Sequence, residues 1–94
     1  MDNSELLEKV KQSMLISDDF HDEMLKNYIV EVKGYLISAG VRKSIVNSVK
    51  AVGVISRGVM DLWNFGLGQA NFSEYFTQRA IQLSLKGGDG DSAN

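Results

Sequence analysis

Residues 51–65 read Ala-Val-Gly-Val-Ile-Ser-Arg-Gly-Val-Met-Asp-Leu-Trp-Asn-Phe, apolar almost all round at a length suited to a single helix. Val54, Ile55, Val59, Met60, Leu62 and Trp63 leave little face for water, and the only charges, Arg57 and Asp61, stand four apart, where they reach each other. A helix of this kind has to be enclosed by protein. It is too short and too interrupted by charge to cross a bilayer. The sequence therefore implies either a domain wrapped around this segment or neighbouring subunits that complete its cover, which points to assembly rather than catalysis.

Upstream, Ser4 followed by Glu5, with Leu6, Leu7, Val10 and Met14 at helical spacing, predicts a capped amphipathic helix to about Leu15. Ile16-Ser17-Asp18-Asp19 interrupts it. Ser17, Asp18 or Asp19 can cap a second helix whose first turn holds Asp22 and Glu23, favoured there by the helix dipole. Phe20, Met24, Leu25, Tyr28, Ile29, Val32, Tyr35, Leu36 and Ala39 trace one long stripe along it, Gly34 within it is expected to mark close approach by another backbone, and Gly40 ends it. After a less regular stretch from Val41 to Asn47, the third helix is expected from about Ser48 to Asn64. Gly66-Leu67-Gly68 then turns the chain, Ser73 caps a fourth helix, and Phe76, Ala80, Ile81, Leu83 and Leu85 carry that helix to about Leu85. The expected fold is all-α: a small bundle of about four helices, with a long second helix and a buried third. Residues 1–86 form the single helical domain, and 87–94, with no large apolar side chain to bury, form a disordered C-terminal tail.

The 94 residues suit one domain, which buries roughly two-thirds of the surface exposed by its unfolded chain and has a modest expected stability of roughly 5–9 kcal/mol. Hydrophobic content of 44% with 23% charged residues is that of a folded protein. The absence of cysteine removes any disulfide framework or thiolate metal site, and the start, Met-Asp-Asn-Ser-Glu, lacks the basic and apolar runs of a secretory signal, as expected of cytoplasmic synthesis. A net charge of −2 gives no general reason to expect nucleic-acid binding, but its distribution is uneven. Residues 2–31 hold Asp2, Glu5, Glu8, Asp18, Asp19, Asp22, Glu23 and Glu31. Between Val32 and Met60 stand Lys33, Arg42, Lys43, Lys50 and Arg57 with no acid at all. A molecule polarised in this way is suited to stacking against copies of itself.

Chemistry-bearing constellations are few. Asp18, Asp19, His21, Asp22 and Glu23 gather one imidazole and four carboxylates, but the spacing does not place a tight ligand set on one helical face, and there is no second histidine. A solvated, dipole-compensated helix start is the reading they support. No catalytic, cofactor or metal residues are assigned: a lone histidine without cysteine leaves no recognisable nucleophile set, and Gly53, Gly58, Gly66 and Gly68 lack the Gly-Lys-Ser/Thr element of a phosphate loop. Lys33 to Arg57 can be read as a helix-turn-helix, although the helix that would enter the groove is the most apolar in the chain. Trp63 and Phe76 are expected to close the core. Phe65, Phe72 and Tyr75, with Arg57, Asp61 and Arg79, are the candidate oligomer interface, since aromatics and arginine concentrate at protein contacts.

Ala51-Val52-Gly53-Val54-Ile55 leading to Gly58-Val59-Met60-Asp61-Leu62-Trp63-Asn64, followed by Phe72-Ser73-x-Tyr75-Phe76-x-Gln78-Arg79-x-Ile81-Gln82-Leu83, resembles the gp6-like head-tail connector proteins of tailed bacteriophages and prophages. The resemblance spans about residues 4 to 85 and includes no catalytic signature. It implies a small all-α structural subunit of the virion, made in the bacterial host cytoplasm and forming a ring, dodecameric in the virion, beneath the portal protein at the head-tail junction. By the same resemblance, the ring extends the channel through which DNA passes without sequence-specific binding and offers a platform to a downstream head-completion or tail protein. No enzymatic activity, cofactor or membrane partner is implied. The alternative is a small helical phage-encoded DNA-binding or regulatory protein in which Arg42, Lys43 and Lys50 touch phosphates.

Overall fold

A computed structural model describes the backbone of residues 2–65 and 74–93, and the side chains of these except Phe65, Glu74, Tyr75 and residues 86–93. The fold is all-α. Its helices are α1 (Asn3–Ser13), α2 (Asp22–Ser38), the single turn α3 (Lys43–Val46), α4 (Val52–Phe65) and α5 (Glu74–Ala93), with a 3₁₀ turn, Val49–Ala51, leading into α4. The expected turn at Gly66-Leu67-Gly68 and the Ser73 cap lie outside the described residues.

Helix α4 is the centre of the molecule, packing against α1, α2 and α5. Val54, Ile55, Val59 and Leu62 are buried on it together with Ser56, Gly58 and Asp61. This is the enclosure that its nearly uniform hydrophobicity demands. Leu6, Leu7 and Val10 from α1, Leu25, Ile29, Val32 and Leu36 from α2, and Phe76, Ala80 and Leu83 from α5 complete a single core, with Trp63 packed at its margin. Where α2, α4 and α5 meet, Gly58 is obligatory for the packing: a Cβ there would lie 2.7 Å from Phe76 Cε1 and 2.8 Å from Val32 Cγ1. Gly34 does not mark the close approach expected of it. It is exposed on α2, with nothing within 4 Å of where a Cβ would stand.

The helix ends show why the boundaries fall where they do. Asp2, not Ser4, caps α1, its Oδ1 accepting the Glu5 N–H at 2.8 Å. The helix stops at Ser13, and the Ile16 N–H returns to the Lys11 carbonyl at 2.9 Å around Leu15, which takes a positive φ of 59°. Helix α2 ends as expected through Gly40 at φ +98°, with the Val41 N–H bonded to the Leu36 carbonyl at 2.9 Å. The irregular stretch becomes α3, and Ser48 caps the 3₁₀ turn by accepting the Lys50 N–H at 3.2 Å, so α4 proper starts at Val52 rather than Ser48. Lys33 Nζ ties the layers together, donating to Asn3 Oδ1 at 3.0 Å and Asn47 Oδ1 at 3.1 Å. Helix α5 runs on to Ala93, past the expected end near Leu85. Backbone i→i−4 bonding needs no large side chain, although the glycines at 87, 88 and 90 make this the intrinsically weakest helical stretch. Among the described residues, no helix is long and apolar enough to cross a membrane.

Candidate functional site

Arg57 and Asp61 lie one turn apart on α4 as their spacing requires, with Arg57 Nε 3.8 Å from Asp61 Oδ1. Asp61, however, is 3% exposed. The helix that carries it is enclosed by other helices of the same chain, so this carboxylate belongs to the protomer interior and does not offer itself to a neighbour. Arg57 keeps part of its side chain at the surface. Arg79 is exposed on α5, where its Nη1 donates to Gln82 Oε1 at 3.3 Å. Phe72 lies outside the described residues, as do the side chains of Phe65 and Tyr75. Of the six expected interface residues, the structure thus brings Arg57 and Arg79 to the surface and withdraws Asp61.

The strongest local organisation lies in the turn between α1 and α2. Lys11 falls on the apolar stripe of α1, one turn beyond Leu7, and is 3% exposed. Its Nζ lies 2.8 Å from Asp22 Oδ1, in an ion pair outside hydrogen-bond alignment, and donates to Asp19 Oδ1 at 3.1 Å. The close contact with Asp22 is the main reason that the ammonium pKa is pushed up to about 12; Asp19 adds to it and burial opposes it. Just before these two anchored acids, Asp18 Oδ1 accepts the Phe20 N–H at 3.0 Å. Asp19 and Asp22 therefore converge on Lys11, not on a common ligand point with His21, whose ring meets Trp63 edge-on at 5.0 Å. With Asp22 half-buried against Lys11 and Asp19 held at the surface above it, Phe20 is turned outward and is 90% exposed, while Leu15 is 93% exposed. The expected place of Phe20 on the α2 stripe is lost because α2 begins only at Asp22. Sequence reading missed Lys11 as the organiser of this turn. Its signal was a lysine in a core-facing register, with acids following at positions 18, 19 and 22.

At the other end of α4, a cavity of about 180 Å³ lies between the 3₁₀ turn and α5, lined by Lys50, Val54, Arg79, Gln82 and Leu83. Val54 and Leu83 are buried and give it an apolar floor, while exposed Lys50 and Arg79 make a cationic rim. Val49, on the same 3₁₀ turn, is also exposed. The cavity can receive an apolar side chain while its rim attracts negative charge. No family model, curated protein or solved structure matches this chain.

Proposed function

We propose that this chain is a structural head-tail connector subunit of a tailed bacteriophage or prophage, assembling as a ring beneath the portal, extending the DNA channel and joining head to tail. The sequence blocks at 51–64 and 72–83 support this reading, and the all-α fold with an enclosed α4 suits it. The observation that carries it is the placement of large apolar side chains. Leu15 and Phe20 stand almost fully in solvent beside exposed acids, and Val49 is exposed beside Lys50. Surface of this character is what a subunit presents to neighbours. The test is the mass in solution by light scattering, first alone and then with the portal ring encoded with it. The expected result is a ring-sized species in at least the second case. A chain that remains monomeric and leaves the portal mass unchanged refutes the proposal.

DNA binding is the second reading, favoured by exposed Lys43, Lys50 and Arg79. Its original form loses ground because α4, the helix that would read a groove, is packed against α1, α2 and α5. What remains is phosphate contact from the surface. Such binding would weaken steeply as salt is raised, and a connector is expected to show little specific affinity for DNA at any salt concentration.

A further inference from the structure

The acidic turn between α1 and α2 and the cationic groove beside Lys50 lie at opposite ends of α4. His21 of the turn packs on Trp63, whereas Val54 forms part of the groove floor. These positions are nine residues apart along the helix, about 14 Å at ~1.5 Å per residue. One molecule therefore presents a projecting element at one end and a recess at the other. We infer that the occupant of the groove is the α1–α2 turn of a second copy of this chain, with Phe20 entering over Val54 and Leu83 and with Asp18 and Asp19 facing Lys50 and Arg79.

Three observations carry the assignment. The first is charge: the turn is acidic at Asp18 and Asp19, both exposed, and the groove rim is cationic at Lys50 and Arg79. Complementary potentials of this kind fix register and partner choice. The second is size. A cavity of roughly 150 Å³ suffices to hold benzene, and the groove, at about 180 Å³, admits a phenyl ring. The third is presentation. Phe20 is held outward by its bond to Asp18 and by the anchoring of Asp19 and Asp22 on Lys11, so the ring is displayed before any partner arrives. An aromatic anchor on a preordered turn loses little entropy on docking, and the aliphatic stems and charges of Lys50 and Arg79 suit the face of the ring.

Because the two surfaces differ, the contact is heterologous: each copy uses its turn on one neighbour and its groove on the other. It closes into a ring if the rotation closes and otherwise extends into a filament. The inference deepens the connector reading, resting on its premise of self-assembly and supplying the protomer contact that a ring requires.

A complementation experiment tests it. Phe20→Ser removes the projecting group, and the double variant Lys50→Glu with Arg79→Glu reverses the rim. All three positions are exposed, so both proteins should keep the helical circular dichroism and melting behaviour of the parent. Light scattering across a concentration series is expected to show assembly by the parent and by Phe20→Tyr, and monomers for Phe20→Ser and for the rim variant separately. Mixing these two should restore one contact, between the intact turn of the rim variant and the intact groove of the Phe20→Ser protein, giving a species of twice the monomer mass and nothing larger. Assembly by Phe20→Ser at the parental concentration, a mixture that stays monomeric, or a parent that never self-associates would each overturn the contact. The portal measurement separates the two ideas. A parent that coats the portal ring yet fails this test leaves the connector reading standing without this interface, and a parent that passes it but ignores the portal does the reverse.

Discussion

Gly58 and Gly53 sit five residues apart on α4 and make opposite demands. At Gly58 an added methyl would collide with Phe76 and Val32, whereas at Gly53 nothing lies within 4 Å. Gly58→Ala is expected to destabilise the protein by about 1–3 kcal/mol through overpacking of the three-helix crossing. Gly53→Ala is expected to stabilise it by roughly 0.4–1 kcal/mol, because alanine reduces the freedom of the unfolded chain at a site that accepts helical geometry. Urea titrations of the two variants check the pair. Lys11 makes a second residue-level statement. Its pKa rises from 10.5 to about 12 in the fold, so the stability contributed by its pairing with Asp22 and Asp19 is fully present below pH 10.5 and lost as pH climbs through about 12. Thermal melts over that alkaline window should fall more steeply for the parent than for Lys11→Met, which has no ammonium to lose.

At the level of elements, α5 is held to the core by Phe76, Ala80 and Leu83, of which Phe76 is the largest. Phe76 is fully buried, closes over Gly58 and lies with its ring centroid 5.5 Å from that of Tyr35. Phe76→Ala is expected to cost about 3–5 kcal/mol, a large share of what a domain of this size possesses, and to lower the urea midpoint accordingly. The existence of α2, α4 and α5 was legible in the sequence because each carries a sustained apolar stripe, and the enclosure of α4 followed from the absence of a polar face. The α2 stop at Gly40 was legible for a local reason, the positive φ that glycine adopts readily. What was not legible depended on which of several able side chains makes a contact. Asp2 and Ser4 are both chemically able to cap α1. Helix α2 starts only at Asp22, after a turn in which Lys11, eight residues before Asp19, pairs with Asp19 and Asp22. Phe20 therefore lies in the turn and outside the core, which no periodicity argument contains. Gly34 illustrates the converse: a glycine in mid-helix suggests a close neighbour, and among the described residues there is none.

For the whole molecule, the segregation of charge seen along the chain becomes a difference between two ends of α4. Exposed acids surround Phe20 at one end, and Lys50 and Arg79 rim a recess at the other. Of the expected interface residues, Arg79 lies on this rim and Asp61 is interior, while Ile16 to Asp19 entered the sequence reading as a helix boundary rather than a surface. Exposure of this kind is decided by which helix ends meet in space, and that is a property of the assembled bundle. The central claim, that the protein is a ring-forming adaptor for a portal, is tested most directly by electron microscopy of purified portal rings incubated with this chain. The account predicts an added annulus of density on one face of the portal, coaxial with its channel and leaving the channel open. Portal particles indistinguishable from those imaged without the protein would contradict it.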